Sequence, residues 1–342
     1  MLNRNRFRLR LVVFFIYVLL SVSVAFQRQY WSLAGSRTEN LLCQSRSSTI
    51  SRLCSTTSKD ASVDVPRNTT PPLINKQPAA DLSSLRGGEN DLTAKKAAIQ
   101  QYLGSLGESR TSLENFQIHG WRWHTRSLIR EVGRLHKLAL KTNPSSVQKL
   151  QDATEYVIDF NLRGLHNIET DLFFPWIRQQ LTSRPKEQSV SKAFASVMDE
   201  LEQDRVQVAQ LGRTISQNAR MAGDTSNSRD TRSGAIEAVA DQSAKLQTIA
   251  QHMMQVEDDY LVPAVAALVP EKEQKTFNNK VLRGLGLLDS RLHLVSMYEA
   301  VEQDPNSKAE KELFKKNIPS VPQMMIPRWK RKLYAPRTSM LE

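Results

Sequence analysis

His166-Asn167-Ile168-Glu169-Thr170-Asp171-Leu172-Phe173-Phe174-Pro175 is the stretch on which the fold reading turns. It has an echo: His252-Met253-Met254-Gln255-Val256-Glu257-Asp258-Asp259-Tyr260-Leu261-Val262-Pro263. Each passes from a His through carboxylates to an apolar pair and a Pro. Glu169 and Glu257 both stand six residues before their Pro. With the carboxylate twice in register, the pattern predicts two helices of one bundle that share a site.

Working outward, the other segments also carry a helical period. Ser112–Lys141 places Leu128, Ile129, Val132, Leu135 and Leu138 on one face. Asn143-Pro144-Ser145-Ser146 breaks the chain and starts a second helix, which runs to about Leu181. Its apolar positions are Leu150, Tyr156, Val157, Phe160, Leu165, Ile168 and Leu172, and Pro175 is expected to kink it. A third helix, Glu187–Met221, is apolar at Val190, Phe194, Val197, Leu201, Val208 and Leu211. After a polar loop, Ala235–Leu268 forms a fourth, with Pro263 a second kink. Asp91–Ser105 reads as a lead-in helix, and Pro270-Glu271 opens a fifth that ends near Pro305. The last thirty residues, with Pro319, Pro322, Pro327 and Pro336, read as irregular. No segment alternates at period two. The fold class predicted is all-α: an up-down-up-down four-helix bundle with an extra C-terminal helix and an irregular tail.

The N-terminal region does not read as core. Arg4, Arg6, Arg8 and Arg10 precede an apolar run, Leu11–Leu20, and Ser23-Val24-Ala25 supplies small residues for cleavage. Residues 1–25 therefore read as a signal peptide. Residues 26–90 are rich in Ser, Thr and Arg and read as a disordered transit-peptide-like segment. The pair resembles the two-part presequence of algae with secondary plastids, which implies plastid import; the alternative is the secretory pathway. The domain division expected is then a bundle at 91–268, an additional helix at 269–304 and a basic, Pro-containing tail at 305–342.

The formal charge of +12 suggests nucleic acid until it is partitioned. Residues 1–91 hold 12 Lys+Arg against 6 Asp+Glu, residues 92–312 hold 28 against 28, and residues 313–342 hold 7 against 1. A neutral body argues against an extended phosphate-binding surface, and only the tail reads as a basic contact site. Both cysteines, Cys43 and Cys54, precede the body, so a metal site there must use His and carboxylate.

Helix one offers His119 and His124, helix two His166 with Glu169 one turn on, and helix four His252 with Glu257. Helix three has no His, only acids such as Asp204. His119 and His124 stand about 140° apart on a helix, so one of the two is expected to face inward. His136 and His293 read as packed or surface residues. Trp121, Trp123, Phe173, Phe174 and Trp176 read as core. Imidazole with carboxylate suits iron, manganese or zinc.

Residues 115–268 resemble the hemerythrin-like, HHE cation-binding family. Phe160–Pro175 matches its helix-two pattern, His252 with Glu257 and Leu261-Val262-Pro263 its helix four, and His119 or His124 its helix-one ligand. The resemblance implies a non-haem iron centre, held as one or two irons. It implies His119 or His124, His166, Glu169, His252 and Glu257 as ligands, with Asp204 as an added oxygen donor. It further implies binding or sensing of oxygen, iron or a small diatomic ligand rather than turnover of an organic substrate. The chain departs from the family pattern at three points. Leu165 stands four before Glu169, Thr170 replaces a second acid, and helix three has no His. These departures carry the alternative: a metal-free bundle acting as a structural or interaction module, whose tail Arg328–Tyr334 contacts an acidic protein or a membrane surface. Without metal, Arg122 and Arg126 are expected to pair with the acids of helices two and four.

Overall fold

The computed structural model describes residues 89–284, 287–304 and 308–342, so the signal-peptide and nearly all of the transit-segment readings lie outside the described residues. Among the described residues there is no strand, and helices take up almost the whole length. The protein is all-α.

Helix α1 is Glu89–Leu106, ended by Gly107 at φ 85, a left-handed turn that favours glycine. Helix α2 is His119–Lys141. Helix α3 (147–183) is continuous through Val147–Thr154, Glu155–Leu162, Arg163–Ile168, Glu169–Phe173 and Phe174–Ser183. Helix α4 is Gln188–Gly223. The Asp224 side chain accepts the Ser226 N–H in the loop that follows, and the Ser228 hydroxyl caps the next helix on Thr231 N–H at 3.1 Å. Helix α5 (229–268) joins Arg229–Val256, Glu257–Leu261 and Val262–Leu268. Helices α2 and α4 each pack against both α3 and α5, and α1 lies on α4. The main core runs along these contacts through Trp121, Leu128, Val132, Leu150, Phe173, Phe194, Leu201, Ile215 and Leu246.

The C-terminal third differs from the sequence reading. Within the span read as a fifth helix, the described residues form α6 at Glu271–Gly284 and α7 at Leu287–Gln303. The tail read as irregular forms α8, Lys308–Asn317, and α9 (320–338), which joins Ser320–Trp329, Lys330–Tyr334 and Ala335–Thr338. The physical reason is the position of the prolines. Pro319 sits at a helix cap and Pro322 in a first turn, where a missing N–H costs little, while Pro327 lies inside the helix and Pro336 follows a widened turn, so the helix runs on past both.

These helices close over the outer face of α2. A second core joins Trp123 to Met297, Val301, Phe314 and Ile326. Polar contacts fasten it. The buried Glu131 carboxylate accepts from the Tyr334 hydroxyl and pairs with Arg130 and with Arg134 at 2.9 Å. The Trp123 indole N–H donates to Glu310 at 2.9 Å. Burial, with the Glu131 charge alongside, pushes the Tyr334 phenol well above its usual range. Tyr334→Phe strips a buried carboxylate of one donor and is expected to cost about 1–3 kcal/mol in urea denaturation. An unchanged midpoint would mean that α9 does not dock there.

Candidate functional site

Glu169 and Glu257 are buried, and each opens the turn that precedes a proline. A proline donates no hydrogen bond, and its ring crowds the carbonyl four residues back. In both places the turn before it widens. The Phe174 N–H reaches the Glu169 carbonyl, and the Val262 N–H reaches the Glu257 carbonyl, five residues back. Each glutamate thus opens a π turn, a geometry that often marks functional positions. Lys330 opens a third such turn before Pro336, where Ala335 N–H reaches Lys330. The kinks expected at Pro175 and Pro263 take this form, and the helices run on.

The two glutamates are buried side by side. The Trp121 indole N–H donates to Glu169 Oε1 at 3.2 Å. The other oxygen, Oε2, faces Arg205 Nε at 3.6 Å. Arg205 is itself buried; it donates to the Thr170 hydroxyl and lies 4.2 Å from the centre of the Phe174 ring. Glu257 Oε1 is buried without a hydrogen-bond partner. Beyond it, Arg122 donates to both oxygens of Asp258, at 2.6 and 2.9 Å, and to Glu310 at 2.7 Å.

Burial drives both acids up. Desolvation pushes Glu169 to about 7, with Arg205 and Trp121 acting against it. Desolvation, then the neighbouring Glu169 and Asp258 charges, holds Glu257 well above the carboxylate range. One guanidinium cannot neutralise two carboxylates, so near neutral pH Glu257 keeps its proton.

The histidines lie elsewhere. His119 stacks on Trp123 with ring centres 5.4 Å apart and meets Phe116 edge-on. His124 shares a hydrogen bond with Asn161 Oδ1 at 2.9 Å, and its ring centre is 4.5 Å from that of His293. His293 stacks on Phe160, and a Cβ at Gly164 would stand 3.0 Å from its ring. Both His119 and His124 are buried, where one was expected inward, because the C-terminal helices cover the far side of α2. Burial holds His119 and His124 down to about 4 and His293 to about 2. His166 is half-buried; desolvation and then Arg205 and Arg213 push it down. The His252 side chain is 50% exposed and faces Glu200 at 3.4 Å and Asp204 at 3.9 Å. Desolvation raises Asp204.

Of the seven residues the resemblance implies as ligands, the structure brings Glu169 and Glu257 together at one place and Asp204 and His252 at another. His119, His124 and His166 join neither. Among the described residues no group of three or more His, Cys, Asp or Glu is arranged to hold a metal ion. Glu169 already has an indole N–H on one oxygen and a guanidinium beside the other. A donor set so engaged, with no imidazole beside it, does not fit an iron centre. The cation at the carboxyl pair is Arg205, and sequence reasoning passed over it. The signal was available: on α4 the apolar series Leu201, Val208, Gly212, Ile215 has its missing member at 205. A charge in a core stripe asks for a buried partner. Arg122 does pair with helix four, through Asp258, while Arg126 turns to Asp304 and Glu310.

No known family pattern, curated protein or solved structure matches this chain.

Two outcomes test the site. Glu257 titrates higher folded than unfolded, so its burial costs nothing below about pH 4.3 and more as pH rises toward its folded value. Glu257→Gln should therefore stabilise the protein increasingly with pH, by up to about 1.4 kcal/mol per unit, in denaturant melts; a flat difference would mean an accessible carboxyl. Arg205→Met should cost about 3–5 kcal/mol near pH 8. The loss should shrink near pH 5, below the Glu169 value of about 7, where that carboxyl is protonated whether or not Arg205 is present. Buried His119, His124 and His293, lowered from about 6.5, change stability with the opposite sign but equally in wild type and variants, so they cancel from both comparisons.

Proposed function

We propose that this chain is a metal-free protein of hemerythrin-like architecture that serves as an interaction module. The ring of contacts among α2, α3, α4 and α5 supports an up-down-up-down four-helix bundle for residues 91–268. The observation that carries the metal-free part is the buried Arg205 guanidinium beside Glu169 and Glu257. Its fixed positive charge stands where a bound cation would otherwise meet those carboxyls. The surrounding groups then have a structural role: they hold α3, α4 and α5 in register around a pair of acids that share one counter-charge.

The surface that carries the interaction is the basic C-terminal helix. Residues 313–342 hold 7 Lys+Arg against 1 Asp+Glu, while the preceding body is neutral. Its partner in this reading is anionic, either an acidic protein or a membrane surface. The presequence reading adds a destination, a plastid reached through a two-part leader, with the secretory pathway as the alternative.

The test has two parts. The full chain, incubated with Fe(II) without oxygen and desalted, is expected to retain far less than one iron per molecule. One or two retained irons, lost on replacing Glu169 and Glu257 by Ala, would restore the iron-binding reading in which the protein binds or senses oxygen or another diatomic ligand. For the interaction role, the full chain should bind an immobilised polyglutamate column in a salt-sensitive way, and Arg328→Ser, Arg331→Ser and Lys332→Ser together should release it. Substitution is preferable to deleting 318–342, which would also remove the buried Tyr334. Passage of wild type through the column unretained would sink the acidic-protein form of this role.

A further inference from the structure

We infer that the outward stripe of α9 is a docking surface for an anionic lipid membrane, lying flat on the headgroups. This rests on the interaction role proposed above and names its partner. The inner face of α9 is fixed in the fold by Ile326, Tyr334 and Thr338, all buried. The opposite face is therefore held outward. Along it, at helical spacing, come Val321, Met324, Arg328, Arg331 and Lys332, with Arg337 exposed beyond them. Met324 is 74% exposed and Val321 62%, so two apolar side chains stand in water at the start of a basic run. Among the described residues no carboxylate pairs with Arg328, Arg331, Lys332 or Arg337. By contrast, Lys330, on the inner side of the same turn, is taken by Glu299 at 2.8 Å.

The order of residues favours a lipid surface over an acidic protein. Acidic side chains would answer the cations and leave Val321 and Met324 in water. A bilayer with anionic headgroups answers both, because an in-plane helix sinks its apolar side chains below the headgroups and sets its cations against them. No helix among the described residues is long and apolar enough to cross a membrane.

The experiment is vesicle co-sedimentation of the full chain, in which everything outside the stripe is common to all variants. Vesicles of phosphatidylcholine with about a third phosphatidylglycerol are compared with pure phosphatidylcholine. Wild type should bind the anionic vesicles and not the neutral ones. Each removed cation should weaken binding about fivefold, so Arg328→Ser, Arg331→Ser and Lys332→Ser together about a hundredfold. Val321→Ser with Met324→Ser should weaken vesicle binding severalfold and leave polyglutamate retention unchanged. All these positions are exposed, and unchanged thermal melts check that the variants fold. Retention on polyglutamate without vesicle binding would overturn the lipid inference and leave the interaction role standing. Loss of both would overturn both. Vesicle binding that ignores the triple substitution would place the membrane contact outside α9 and overturn the inference as well.

Discussion

One guanidinium faces two buried carboxyls, and much of the fold is arranged to make that tolerable. Desolvating a carboxylate costs several kcal/mol, and a single Arg offsets one such charge. Arg205 and the Trp121 N–H take Glu169, while Glu257 stays neutral with one oxygen unpartnered. The same requirement explains the second tier. Asp258, next in sequence to Glu257, would add another negative charge beside the pair. It is answered by Arg122, which reaches across from α2 and also holds Glu310. Positive and negative groups thus alternate outward from the core, from Glu257 and Glu169 to Arg205, and from Asp258 through Arg122 to Glu310. That alternation links α2, α3, α4, α5 and α8 at one level of the molecule.

What the sequence made legible was what depends on neighbours along the chain. The glutamate six residues before proline is such a signal, because the widened turn is a local answer to a missing N–H. Its third occurrence, Lys330 before Pro336, went unnoticed because no carboxylate marked it. The extents of α3 and α4 and the end of α5 were legible for the same reason, whereas α2 begins at His119 rather than at Ser112. Partners across the bundle were not. The pairing of Glu169 with Arg205 is a tertiary fact, and only the break in the apolar period of α4 hinted at it.

The histidines show the limit from the other side. His252 and Glu257 match a family spacing, but five residues on an undistorted helix turn through about 500°, which leaves them about 140° apart. Glu257 is buried in the core and His252 faces solvent beside Glu200 and Asp204. The same angle, applied to His119 and His124, correctly separated them and then misled. It assumed that α2 has one wet face. The C-terminal helices remove that face, and His119 is buried in the satellite core beside Trp123 while His124 meets His293 from α7. His293, read as packed or surface, proves to be packed.

The extension also redistributes charge. The body balances 28 cations against 28 anions, and many of the opposed charges meet as pairs that fix helices to one another. In the last thirty residues that balance ends. The inner side of α9 uses an aromatic hydroxyl, at Glu131, and one lysine, at Glu299, to join the fold. With those contacts made, its remaining cations have no carboxylate left within reach among the described residues. A neutral, internally paired bundle exerts little long-range field of its own, whereas an unpaired stripe on a rigid helix concentrates one. Glu169 and Glu257, which resemble part of a metal centre, are instead buried in the core that holds the structure. At the far end of the chain, Arg328, Arg331 and Lys332 stand exposed together with no paired carboxylate among the described residues.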